Sequence, residues 1–305
     1  MNPRQQERLG LLCLFIAIGL WSTVEVVTRT ILTEVPPIQL AWIRFFAGGL
    51  FLSVLLPRDL KRRGLTIDRR ILWFCLWVSL PGVVVSNIAL QYSLQLTGAA
   101  VVATVYGASP LFVLALSRIL MQEPMTLPRI AGLSCGLAGI ALLSLGTPSA
   151  TFSVAGLLLA LCAAGTFSLW TVLVKKSAGA FAGLPVTVLC FAFGVLFMTP
   201  FALLEGRAPD WAALQRHVGA ILYLSIGGTG VAYWLYFKGL EHVEATRAAS
   251  IILIKPPAAA LLAAAVLGEP LTWNLLLSMV LIGAALYGVF FWHRRTASVP
   301  CNKTV

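Results

Sequence analysis

Three ionisable side chains, Glu25, Arg44 and Lys255, stand well inside long apolar stretches of this sequence, with Arg29 nearer the end of the first. A charge in such a stretch costs about 2.5–3.5 kcal/mol on an insertion scale, so it marks a countercharge, a proton path or a charged solute. Glu25 can face an ammonium group or carry a proton. Arg44 and Lys255 can face a carboxylate or another anion. Counting about 1.5 Å per residue of helix, Glu25 lies about 10 Å and Arg44 about 9 Å from the same end of their stretches, level across a short hairpin. Lys255 lies about 18 Å from that end, near the midplane of a bilayer. It reaches toward Glu25, is kept neutral by burial, or meets an anionic group of a solute. The sequence leaves open whether Glu25 pairs with Arg44 or with Lys255.

Polar and aromatic residues supply the rest of a small-molecule lining. Asn87, Gln91 and Gln95 recur every four residues and form one helical stripe with Tyr92 beside it. Trp21 and Ser22, Tyr106 and Ser109, Thr166 and Trp170, and Tyr233, Trp234 and Tyr236 occupy other stretches. The expected solute-binding set is Trp21, Ser22, Glu25, Arg44, Asn87, Gln91, Tyr106, Trp170, Tyr233 and Lys255. Trp273 and Trp292, near stretch ends, suit an interfacial belt instead.

Other chemistries find no support. The three histidines, His217, His242 and His293, fall at stretch ends or between them, and the six cysteines lack paired spacing, so neither a metal site nor a disulfide framework is expected. There is no Gly-rich Lys-Ser/Thr phosphate loop and no acid, base or metal cluster of the kind a membrane enzyme needs. No cofactor is implied and the chain is not expected to be an enzyme.

The elements that must hold these residues are helices in a bilayer. At 59% hydrophobic and 11% charged, the 305-residue chain is far too apolar for a soluble domain. Ten stretches of spanning length run near 9–32, 38–56, 71–95, 98–121, 127–146, 153–174, 185–204, 218–238, 244–267 and 272–292. They are too long, and too apolar on most faces, for spanning strands. The first contains Glu25 and Arg29 and exceeds a signal-peptide core, so a retained helix is expected. Seventeen of the 22 Lys and Arg fall on one side, among them Arg58, Lys61, Arg62, Arg63, Arg69 and Arg70 in one loop, against Arg207 and Arg216 on the other. That places both termini in the cytoplasm and assigns the basic loop to topology and anionic lipid rather than nucleic acid.

A shift of 146 residues lays the chain on itself without a gap. Gly10, Gly19, Ser22, Phe45, Gly48, Gly82, Pro110 and Glu123-Pro124 meet Gly156, Gly165, Ser168, Phe191, Gly194, Gly228, Pro256 and Glu269-Pro270. Five stretches per half is an odd number, so the second half enters the membrane from the opposite side. The expected class is an all-α integral membrane protein of ten transmembrane helices in two inverted repeats, 9–146 and 153–292, with a cytoplasmic tail, 293–305. Inverted repeats around a central site are a device of alternating-access transport. Interrupted helices in matching positions point to that site: Pro81-Gly82 matches Gly227-Gly228, and Pro110 matches Pro256. The charges break the symmetry, since Glu25, Arg44 and Lys255 align with Thr171, Cys190 and Ser109. Gly132 and Gly136 suit a close contact between helices. Glu123-Pro124 and Glu269-Pro270, with Thr126 and Thr272, suit the end of one helix and the start of the next.

Trp21-Ser22, Arg44-Phe45, Gln122-Glu123-Pro124 and Gly268-Glu269-Pro270, set in this repeat, resemble the EamA-type, ten-helix members of the drug/metabolite transporter superfamily. The resemblance covers nearly the whole chain. It implies a central cavity lined by the first, third and fourth helices of each half, and outward movement of small metabolites, often amino acids. Lys255 departs from the acidic or neutral residue usual before this proline. The expected function is a secondary transporter exporting an amino acid or similar metabolite across the cytoplasmic membrane by rocking its halves. An organic anion or phosphorylated metabolite is the alternative solute, and a membrane enzyme the distant alternative. Its partners are then a small-molecule solute and membrane lipid. Glu25 is the one carboxylate placed for proton coupling. Nothing in the pattern fixes an oligomeric state.

Overall fold

The computed structural model describes residues 2–29, 31, 34–97, 102, 105–145, 153–177, 183–205, 211–267 and 273–296. Regular structure among them is helical throughout. The long elements are α1 (Pro3–Arg29), α2 (Pro37–Arg63), α3 (Arg69–Leu96), α4 (Val105–Met121), α5 (Leu127–Leu145), α6 (Val154–Ser177), α7 (Leu184–Leu204) and α8 (Val218–His242). Then α9 joins Ala245–Ser250, a 3₁₀ turn at Ile251–Ile254 and Lys255–Leu267, and α10 is Trp273–Thr296. A short helix, Trp211–Arg216, precedes α8. Six helices, α1, α2, α3, α6, α7 and α8, are long and apolar enough to cross a membrane, and α4, α5 and α10 carry shorter apolar runs. The chain is a multi-pass membrane protein.

Boundaries follow the apolar stretches with two extensions. α1 begins at Pro3 and α2 continues to Arg63, because Lys, Arg and Gln are good helix formers that prolong a helix into water. α2 closes on Gly64, whose φ of 63° is left-handed and whose N–H reaches back to the carbonyls of Leu60 and Lys61.

The breaks fall in matching places. In α3 the turn Leu80–Val85 is π-helical, and the Ser86 N–H bonds the Pro81 carbonyl five residues back. In α8 the π turn is Tyr223–Val231, and the Ala232 N–H bonds the Gly227 carbonyl. These are one bond made twice, 146 residues apart. Pro81 has no N–H to give the regular ladder and Gly227-Gly228 hold it weakly, so the register slips there. In α4 the N–H of Leu111 bonds the carbonyl of Ala108 at 2.9 Å, three residues back, so this helix tightens just before Pro110 as α9 does before Pro256.

Glycines set how the two halves meet. α1 runs antiparallel along α8: a Cβ on Gly10 would sit 3.0 Å from Val243, one on Gly239 2.6 Å from Leu14, and one on Gly228 2.3 Å from Val24. α6 repeats this along α3, where a Cβ on Gly156 would sit 2.9 Å from Thr97 and one on Gly82 2.2 Å from Trp170. A Cβ on Gly48 of α2 would sit 2.6 Å from the Ser225 carbonyl of the α8 π turn, and one on Gly194 of α7 2.4 Å from Val83 of the α3 π turn. α5 and α10 pack antiparallel: a Cβ on Gly132 would sit 3.0 Å from the Ala285 carbonyl, one on Gly136 3.1 Å from Ala285 and one on Gly139 3.1 Å from the Ser278 carbonyl. First and third helices therefore pair across the halves, with small residues letting backbones approach.

Candidate functional site

Where α1, α2, α3, α6, α7 and α8 converge, aromatic rings meet. Trp21 of α1 lies 4.8 Å from Tyr233 and 5.1 Å from Tyr236 of α8 between ring centroids. Trp170 of α6 lies 5.4 Å from Tyr233 and 4.9 Å from Phe237. Phe167 stands 6.3 Å from Trp21 and 5.8 Å from Tyr106 of α4, and Phe45 of α2 meets Phe191 of α7 at 4.9 Å. Edge-on and tilted contacts dominate, as ring quadrupoles favour. The cluster thus joins four expected binding residues, Trp21, Tyr106, Trp170 and Tyr233, and adds Phe45, Phe167, Phe191, Tyr236 and Phe237.

The polar groups around the rings are few. Arg44, one residue before Phe45, is half-buried; its Nε donates to Thr229 Oγ1 at 3.1 Å, and it lies within electrostatic reach of Tyr233. Thr229 sits in the α8 π turn, so the slipped backbone presents the hydroxyl that holds the cation. The Glu25 backbone belongs to α1, but its side chain and that of Arg29 lie outside the described residues. Ser22 is buried and donates to the Ile18 carbonyl at 2.8 Å, which leaves its oxygen as an acceptor. Asn87 donates to the Val83 carbonyl at 2.8 Å, inside the α3 π turn, and keeps its amide oxygen for another donor. Gln91 is half-buried one turn on, and Gln95 is exposed. Lys255 is half-buried at the junction of the 3₁₀ turn with Lys255–Leu267, and its helix lies against α1.

Pro81 and Gly82 lie in the α3 π turn and Gly227 and Gly228 in that of α8, while Pro110 and Pro256 each open a stretch of α-helix. Gly82 carries the face of Trp170, and Gly228 carries Val24 in the matching position. Trp170, Thr171 and Tyr236 are fully buried beside the rings, with Thr171 within hydrogen-bonding reach of Tyr236 and the indole N–H of Trp170 within reach of Cys190. Thr171 holds the position that Glu25 has in the first half.

At the end where α1 begins, the halves are tied by polar contacts. Glu123 accepts from the N–H of Ala245 at 2.9 Å and from the Thr246 hydroxyl at 2.9 Å, capping the start of α9. Arg129 pairs with Glu244, and Arg247 with Glu7 at 2.8 Å. Lys175 donates to the Leu240 carbonyl. At the opposite end Glu205 accepts from the N–H groups of Ile38 (3.1 Å) and Gln39 (2.9 Å), capping α2, and Glu34 pairs with Arg216 at 2.7 Å. Arg216 and His217 hold the exposed Glu34 carboxyl below its ordinary range. Gly268-Glu269-Pro270 and Thr272 lie outside the described residues.

The rings that sequence reasoning passed over carry a usable signal. The 146-residue shift turns Trp21 into Phe167 and Gln91 into Phe237. Thr229 carried none, being a neutral residue whose partner is distant in the chain.

Comparison with known proteins agrees with this architecture. The model of the EamA-like transporter family matches residues 8–145 and 154–291, the two repeats in turn. Protein PecM of Dickeya dadantii is 30% identical over 298 residues, covering 95% of this chain and 96% of its own. The uncharacterized transporter YvbV of Bacillus subtilis is 28% identical, covering 92% and 91%. An uncharacterized transporter of Clostridium kluyveri is 23% identical, covering 90% of each. A solved crystal structure, 23% identical, superposes with a TM-score of 0.79 over 95% of this chain and 99% of that one.

Proposed function

The chain belongs to the EamA-like transporter family, and from that premise we propose that it is a secondary transporter of the cytoplasmic membrane, exporting an amino acid or a similar small metabolite by alternating access. The observation that carries this reading is the cross-half pairing of first and third helices. Each of α1 and α6 runs antiparallel along the third helix of the other half, over a π turn in the same repeat position. Two inverted repeats that grip each other so enclose one site and can present it to either side. The antiparallel α5 and α10 support the inversion, and the concentration of Lys and Arg at the end where α1 begins supports cytoplasmic termini.

In this reading the rings of Trp21, Tyr106, Trp170 and Tyr233 bind the apolar part of the solute, while Asn87, Gln91 and Ser22 offer acceptors and donors. Arg44 or Lys255 takes the carboxylate and Glu25 the ammonium or a coupled proton. A second reading, an organic anion without an ammonium group, is favoured by Arg44, a cation held by a neutral hydroxyl beside the rings. Solute-induced thermal stabilisation separates the two, because a ligand that binds only the folded state raises the unfolding temperature. Stabilisation by amino acids supports the first reading. Stabilisation only by carboxylates lacking an amine selects the second, and none from either panel rejects both solute classes.

A further inference from the structure

We propose, building on the alternating-access reading, that the bodies which move against each other are not the two repeats but two exchanged bundles, α1-α2-α8-α9 and α3-α4-α6-α7. Within each bundle, glycines of one helix seat the side chains or backbone of the next. α8 lies on α1 through Gly10, Gly228 and Gly239, and on α2 through Gly48, where a Cβ would sit 2.6 Å from the Ser225 carbonyl and 3.1 Å from the Gly230 nitrogen. α3 lies on α6 through Gly156 and Gly82, with Ser86 Oγ donating to the Ala163 carbonyl at 3.0 Å, and on α7 through Gly194. α4 joins α6 where Ser168 Oγ donates to the Ser109 carbonyl at 3.0 Å, and α9 joins α1 where Arg247 meets Glu7. A glycine that seats a neighbour's side chain or carbonyl holds it in one register, so these pairs cannot slide or part without losing close packing.

Between the bundles, α2 runs along α7, where Trp42 Nε1 donates to Thr199 Oγ1 at 3.0 Å and Gln39 Nε2 to the Ala202 carbonyl at 3.3 Å, and this pair places the pivot of the motion. Away from that pivot the mid-height contacts are rings: Trp21 on Phe167, and Trp170 on Tyr233 and Phe237, with Phe45 on Phe191 at the pivot itself. Ring contacts tolerate tilting because offset and edge-on geometries have similar energies. Rocking one repeat against the other would tear Gly10 from Val243 and Gly156 from Thr97. Rocking the exchanged bundles leaves both in place.

The repeat also shows which end is shut. Where α1 begins, Ser117 of α4 lies 3.3 Å from Thr246 of α9, Glu123 caps α9, and Lys175 of α6 holds the end of α8. Leu240 there is 1% exposed and Phe237 also 1%, whereas their repeat mates are open: Leu94 is 41% exposed and Gln91 half-buried. Apart from the α2–α7 contact, which Glu205 ties at the far end, the bundles therefore meet at the basic end and stand apart along α3 at the other, and in the alternate state Leu240 takes the exposure Leu94 has here.

The test uses full-length protein with its six native cysteines replaced and Leu240→Cys as reporter, labelled by a membrane-impermeant maleimide in inside-out vesicles. Three disulfides are compared: Gly10→Cys with Val243→Cys, Thr97→Cys with Gly156→Cys, and Ser117→Cys with Thr246→Cys. All three join the two repeats, but only the last joins the two bundles. The expected result is labelling within twofold of the unlinked rate for the first two and a fall of tenfold or more for the third, reversed by reductant. Suppression by the Gly10–Val243 or the Thr97–Gly156 link, or none by the Ser117–Thr246 link, overturns the proposal alone. An unlinked protein whose Leu240→Cys never labels overturns the alternating-access reading with it.

Discussion

Gly82→Val should destabilise the protein through Trp170, and the size of the effect follows from the packing. A Cβ at residue 82 would lie 2.2 Å from Cγ and Cδ2 of the indole and 2.7 Å from its Cβ. Carbon atoms rest at about 3.5–4.0 Å, so the ring would have to withdraw by more than 1 Å, by this same estimate. It has nowhere to go, being fully buried with Phe237 at 4.9 Å, Tyr233 at 5.4 Å and Phe167 at 6.3 Å. Overpacking of this kind costs about 1–3 kcal/mol, and valine's two further methyls place it toward the upper figure. Helix propensity returns only a few tenths of a kcal/mol, roughly, on replacing Gly by Val, so the clash decides the sign. At about 2–4 °C per kcal/mol for a chain of this order of size, the unfolding temperature should fall by roughly 4–9 °C. Cys75 and Cys190 are buried free thiols, so a fluorogenic maleimide reports unfolding in detergent at one fixed scan rate. The same substitution on a Trp170→Ala background, where the ring is gone, should lose less than half as much, a coupling of about 0.5–3 kcal/mol. Equal losses on both backgrounds would refute the argument that Gly82 exists to seat Trp170.

Three further outcomes are expected. Glu123→Ala leaves the buried Ala245 N–H and Thr246 hydroxyl without their acceptor and should cost about 1–3 kcal/mol in the same unfolding assay, with Glu123→Gln costing less because one acceptor oxygen remains. Arg44→Ala should abolish stabilisation by any carboxylate solute that stabilises the parent, while Thr229→Val, which removes only the hydroxyl that holds Arg44, should weaken it without abolishing it. Glu34, held below its ordinary 4.5 by the Arg216 hydrogen bond and by His217, contributes its stabilisation at neutral pH and loses it as pH falls through the lowered pKa. The small stability difference between parent and Glu34→Gln should therefore be present at pH 7, begin to shrink near 4.5 and vanish once the pH is below the lowered pKa, as a pH series of unfolding temperatures would show.

The fold was legible where composition and backbone chemistry decide it. Runs of apolar residues long enough for a bilayer gave the described helices except for the polar extensions of α1 and α2, and the 146-residue shift related their breaks. Pro81 and Gly227-Gly228 could be marked as weak points because a missing N–H or a missing side chain acts locally. What remained hidden was long-range. Gly10 and Gly156 looked like ordinary membrane-helix glycines, and only packing reveals that they seat Val243 and Thr97 of the opposite half. Arg44 suggested a carboxylate partner by its charge, yet its described hydrogen bond goes to Thr229, because a π turn aims a neutral hydroxyl at it. Glu123 likewise serves a helix start more than a hundred residues away, beyond the reach of a local capping pattern.

The central claim, one solute site between inverted repeats reached from either side in turn, is tested most directly by counterflow in proteoliposomes with the solute that best stabilises the protein. The account predicts that preloading vesicles with unlabelled solute speeds entry of the labelled solute, since a loaded site returns faster than it would empty, and that Trp170→Ala weakens this exchange. Entry that is indifferent to preloading, or that rises in proportion to concentration without saturating, would contradict it.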